Sequence, residues 1–162
     1  MYIKLKNGNI YATAMKEGDF LYIYTLYAEK AGAGFEKTQY GYKKRISVRD
    51  DDVEEYFSLN WKIRLDVGIK GVPDEWIIRG DSDLAHGKVL LRFTRGNIPG
   101  WMQEDRGVCS KEYDFGLSTA WWTERFVPIR NGVDRPNAGW EKTVMTKAEF
   151  LKSFEFYNCR TL

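Results

Sequence analysis

Apolar and polar residues alternate with a period of two along most of this chain, the pattern of strands with one face covered. The clearest case runs over residues 60–70. There Trp61, Ile63, Leu65, Val67 and Ile69 oppose Lys62, Arg64, Asp66, Gly68 and Lys70. Near the start, strands at 2–6 and 10–15 flank Asn7-Gly8-Asn9, and Asn-Gly favours a hairpin because both residues accept positive φ. Lys16-Glu17-Gly18-Asp19 turns the chain into a third strand at 20–28, apolar on both faces and therefore expected to be central. A fourth strand, about 38–48, sets Tyr40, Tyr42, Ile46 and Val48 inward, with Gln39, Lys43, Arg45, Ser47 and Arg49 outward.

The run Asp50-Asp51-Asp52-Val53-Glu54-Glu55-Tyr56-Phe57 places acid where a helix dipole favours it, and predicts a short acidic helix at 50–57. Strands follow at 75–79 and 88–95. From Gly96 to about Ser118 glycine and proline break every pattern, and a structureless run of this length is expected to carry function or to be disordered. A strand at 121–129, a polar loop at 130–139 and a strand at 140–145 come next. Thr146-Lys147-Ala148-Glu149 is a capping box opening a helix at 147–157, with Phe150, Leu151, Phe154 and Tyr157 as its buried stripe. The expected fold class is α+β with β dominant. It is an antiparallel hairpin-built sheet, or a two-layered sheet or partial barrel, with the two helices named. There is no internal repeat, linker or low-complexity tract, so a single domain over 1–162 is expected.

Composition narrows the function more than the fold. Hydrophobic residues at 43% and aromatic residues at 15% supply enough core to argue against disorder. The 25 basic and 23 acidic residues leave a net of +2, which neither requires a polyanionic partner nor excludes one. No stretch reaches the about 18 consecutive apolar residues of a membrane span. The charged start Met1-Tyr2-Ile3-Lys4 lacks a signal peptide's apolar run, so the expected compartment is the cytoplasm, with Cys109 and Cys159 reduced.

Candidate chemistry is thin. His86 is the single histidine, so a Ser-His-Asp triad has to use it, with Asp81 or Asp83 as orienter, and nothing resembles a nucleophile elbow. One histidine and two distant cysteines do not make a zinc pattern, and the 81–86 loop lacks the further acids of a calcium loop. Glu104, Asp105, Glu112 and Asp114 are loop acids whose spatial separation the sequence does not give. Gly32-Ala33-Gly34-Phe35-Glu36-Lys37 lacks the ending of a phosphate loop. The expectation is no catalytic residue, no metal and no cofactor.

Two features rise above this background. Lys37, Lys43, Lys44, Arg45 and Arg49 form a run free of acid after Glu36, and Lys43, Arg45 and Arg49 on its outward side are an alternative site for nucleic acid. The other is the crowding of tryptophan and arginine in the C-terminal half, both typical of binding hot spots. Trp101, Arg106, Trp121, Trp122, Arg130 and Arg135 are the expected contact residues. Trp121 and Trp122, adjacent in a strand, must face opposite sides. The reading is a non-enzymatic protein-binding or inhibitor domain. Phages and mobile elements use small proteins of this style, anti-CRISPR proteins among them, to block host defence nucleases. A nucleic-acid-binding accessory protein and a carbohydrate-binding module stand as alternatives.

Overall fold

The computed structural model describes residues 1–65, 75–93 and 108–158, and it divides into two compact units. The first comprises Met1–Leu59 and Arg125–Glu141; the second comprises Asn60–Glu124 and Lys142–Asn158. Strand is the dominant element and pairing is antiparallel, with one C-terminal α-helix, as the alternation of the sequence predicts.

In the first unit, β1 (Tyr2–Leu5), β2 (Ile10–Glu17), β3 (Phe20–Thr25), β4 (Glu36–Thr38), β5 (Gly41–Ser47) and the start of β6 (Val53–Leu65) pair in the order β4-β5-β3-β2-β1-β6. Register fixes which side chains share a face. Phe57, Tyr2, Ala12, Tyr24 and Lys43 form one cross-strand row; Ala14, Tyr22 and Arg45 form the next. The opposite face is the core, where Ile3, Tyr11, Leu21, Ile23, Ile46, Val48 and Val53 pack with Tyr56 and Ile129. The Tyr11 hydroxyl donates to the Lys30 carbonyl at 2.8 Å, and burial raises its pKa above the ordinary value.

The acidic helix expected at 50–57 is not formed. Asp50-Asp51-Asp52 instead makes a tight turn, with Val53 N donating to Asp50 O at 2.9 Å, and β6 begins at Val53. The reason lies in burial on both faces. Tyr56 joins the core while its neighbour Phe57 stacks on Tyr2 with ring centroids 5.6 Å apart, so no period of two reaches the sequence. Pairing with β1 then outweighs what the three aspartates gain at a helix start.

In the second unit the later part of β6 pairs with β7 (Glu75–Ile78), β7 with β8 (Lys88–Phe93), and β8 with β9 (Val108–Asp114). β9 and a following 3-10 turn at Phe115–Leu117 lie inside the stretch expected to be structureless. Val-Cys-Ser-Lys-Glu-Tyr-Asp carries no clean alternation, so its strand character comes from the ladder β8 offers. β10 (Ser118–Arg130) contributes Trp122, and α1 (Lys147–Asn158) buries Phe150 and Phe154. Phe154 meets Trp61 edge-on at 5.5 Å and Phe150 stacks on Phe115 at 6.2 Å. The capping box forms as the sequence predicts: Glu149 N donates to Thr146 Oγ1, and Thr146 N to Glu149 Oε2 at 2.8 Å. That second bond holds the Glu149 carboxyl below its ordinary pKa.

β11 (Val133–Asp134) and β12 (Trp140–Met145) both pair with β10. No described helix is long and apolar enough to cross a membrane.

Candidate interaction surface

β10 and β11 form a hairpin in the first unit, with Arg130 opposite Val133 and Ile129 opposite Asp134. The turn between them is Asn131-Gly132, both at positive φ (53° and 72°), which is the primed geometry that matches strand twist. Glycine suits the second position, since L side chains rarely adopt this φ and a Cβ there would lie a tight 3.3 Å from the Arg49 carbonyl oxygen. At Asn7-Gly8, by contrast, Gly8 alone takes positive φ (88°). The polar loop expected at 130–139 therefore opens with a two-residue hairpin whose Asn-Gly signal stands in the sequence.

Beside this hairpin Trp140 packs on Phe126 with centroids 5.5 Å apart, yet remains 54% exposed. Val133 is exposed as well, and Arg135 N bonds back to Pro128 O at 2.8 Å, closing the corner. The arginines around it are spent on acids of the same unit. Arg125 pairs with the buried Glu55 and lies over the Phe57 ring at 4.3 Å. Arg130 Nε sits 3.8 Å from the same carboxylate, and Arg135 is 3.4 Å from Glu141. Arg49 is held between Asp134 and Asp19, each at 3.1 Å, and the two acids raise its pKa further. The result is an apolar corner with its charge neutralised.

The expected contact residues fall unevenly. Trp101 and Arg106 lie outside the described residues, as does the partner that a Cys109–Cys159 question would need. Trp122 is buried in the second unit, where its Nε1 reaches Glu124 at 3.4 Å and Lys142 covers its ring at 4.3 Å. It has no surface to offer. Trp121, facing the other way, is half-buried against Phe115, and its Nε1 is enclosed with no hydrogen-bond partner among the described residues. Arg130 and Arg135 belong to the corner, and Trp140 is the tryptophan that joins them.

The basic strand reads differently across the sheet than along the chain. Glu36 of β4 stands opposite Lys43, and Glu17 of β2 stands opposite Phe20, so acids from neighbouring strands share the face of Lys43 and Arg45. Tyr42 of β5 does point away from that side, but Tyr40, expected inward, falls in the turn before β5 and is 70% exposed; aromatic rings reach the face from β3 instead. Lys43 Nζ is 5.4 Å from the Tyr22 centroid, and the Arg45 guanidinium lies 4.2 Å over Phe20. A recess of about 270 Å³ opens there, lined by Met15, Glu17, Phe20, Leu21, Tyr22 and Arg45.

His86 sits in an exposed 3-10 turn, its Nδ1 2.7 Å from Asp83 Oδ2, with Asp83 also capping the turn. Asp81 is held by Arg79, and the Ser82 hydroxyl is engaged on both sides by the Leu90 backbone. Among the described residues no three His, Cys, Asp or Glu side chains converge as metal ligands. No family model matches the chain, and no curated protein or solved structure gives a significant match.

Proposed function

We propose that the chain is a non-enzymatic binding domain, acting in the cytoplasm, that engages a protein partner through the corner of β10, β11 and β12. The observation that carries this reading is Trp140, more than half exposed while its ring rests on Phe126. A large rigid side chain held against a hairpin loses little entropy on binding, and tryptophan with arginine dominates interface energetics. Arg135 is balanced by Glu141, and Arg130 shares Glu55 with Arg125, so the surface suits a protein with an apolar pocket better than a polyanion. An inhibitor of a host defence nuclease is the form of this function we infer, which makes such nucleases the first partners to assay.

The test is affinity capture and titration with wild-type and Trp140→Ala protein. Truncation should weaken the captured complex by about 2 kcal/mol, roughly thirtyfold, at low and high salt alike. The melting temperature should stay within about 2 °C of wild type. Unchanged affinity in the variant would remove the corner from the function.

A further inference from the structure

We propose that the outer face of β2, β3 and β5 is a self-association surface, on which a second copy of this chain docks about a two-fold axis running along β3. This goes beyond the partner-binding corner and uses none of its residues.

Three observations on one face lead there. Its centre is apolar and open: Phe20 is 43% exposed and Met15 72%, beside the recess of about 270 Å³. Its charges are unspent: neither Glu17 nor Arg45 enters an ion pair among the described residues, although both line that recess. Most importantly, the charges are antisymmetric about β3. Glu17 lies on the β2 side of Phe20 and Arg45 on the β5 side, as the pairings Glu17 with Phe20 and Tyr22 with Arg45 require.

An isologous interface must be complementary to itself: whatever residue i meets in the partner, the partner's i must meet here. Rotation by half a turn about an axis along β3 carries the β2 side of one copy over the β5 side of the other. Position along β3 is kept, so Glu17 of each copy, level with Phe20, comes opposite the guanidinium of its mate's Arg45, which reaches from the level of Tyr22 to lie over Phe20; the pair forms twice over, with the Phe20 rings beside it near the axis. Two sheets stacked in this way lie about 10 Å apart with strands nearly aligned, the common mode of sheet packing. A polyanion is the poorer occupant, because Glu17 and Glu36 share the face with Lys43 and Arg45.

Sedimentation equilibrium from micromolar to millimolar protein reads the association directly. Wild type should dimerise, and Glu17→Arg and Arg45→Glu should each weaken the dimer by about tenfold or more, because like charges then face one another. The double variant Glu17→Arg/Arg45→Glu restores both pairs and should recover wild-type association. Circular dichroism melts on all four proteins separate lost docking from lost folding. A wild type that stays monomeric over the whole range overturns the proposal. So does a double variant no better than the singles, or uptake of an unstructured oligothymidine abolished by Arg45→Glu, which would give the face to single-stranded nucleic acid. The Trp140→Ala variant should dimerise as wild type does, so this proposal and the corner can fail separately.

Discussion

The first unit carries two surfaces built from the same residue types and opposite in their electrostatics. At the corner, Arg49, Arg125, Arg130 and Arg135 all lie against carboxylates, and what remains for a visitor is Trp140, Phe126 and Val133. On the β3–β5 face the cations lie over rings, Arg45 on Phe20 and Lys43 on Tyr22, and the acids stand free. A guanidinium already paired adds flat area and loses its reach; one stacked on a ring keeps its charge available. The corner is thus suited to contacts insensitive to salt. The β3–β5 face encodes orientation through charge.

The sharpest way to break this contrast is to remove the acid that neutralises the corner. Glu55 is buried and holds Arg125, with Arg130 beside it, so Glu55→Ala leaves two guanidiniums without their carboxylate. Losing one partner of a buried pair costs about 3–5 kcal/mol, and Arg125 is a third exposed, so about 3 kcal/mol is expected. Urea denaturation measures it. Glu55→Gln should cost less and turn binding at the corner salt-dependent; if its affinity stays flat with salt, the neutralisation argument is wrong. Next in size is Gly132→Ala. Alanine at φ 72° with the Arg49 carbonyl close by should destabilise by about 1–2 kcal/mol and tilt Trp140, while leaving dimerisation unchanged.

The smallest effect is a control in the second unit. The Glu149 carboxyl has its folded pKa lowered by the Thr146 amide, so its stabilisation is present above the ordinary value of 4.5 and lost as pH falls through the lowered folded value. Glu149→Gln should therefore lower the melting temperature near neutrality, and the gap to wild type should close in acid. Neither surface of the first unit should respond.

Much of the strand layout was legible because one-sided burial writes a period of two. Trp61, Ile63 and Leu65 are buried and Arg64 is exposed, as alternation requires. The failures have physical causes. Residues 53–57 are covered on both faces, so acid and aromatics mimicked a helix start. β9 owes its conformation to β8, which no local pattern announces. The Asn131-Gly132 hairpin was readable, since Ile129 and Val133 flank the same dipeptide that marked the first turn. For the candidate surface, adjacency in β10 sets Trp121 and Trp122 on opposite sides, but neither became the exposed tryptophan. Trp140 did, because a partner ring at Phe126, fourteen residues away, props it up. Cross-strand neighbours also change the reading of the basic run: only register sets Glu36 opposite Lys43 and Glu17 opposite Phe20, on the face that Lys43 and Arg45 share.

The first unit's core has a consequence for synthesis on the ribosome. Ile129 packs among Ile3, Val53 and Tyr56, so the core gains its last member only after 76 further residues (129 − 53) have followed Val53 out of the tunnel. At about 5–20 residues per second that delay is roughly four to fifteen seconds. Through that interval the sheet of β1 to β5 waits with Ile3 and Val53 uncovered on that side, and with Arg49 lacking Asp134. A nascent chain in that state exposes apolar surface and unpaired strand edge of the kind that favours aggregation. Codon choices that slow translation between residues 60 and 125 should lower the yield of folded protein more than the same slowing after residue 141.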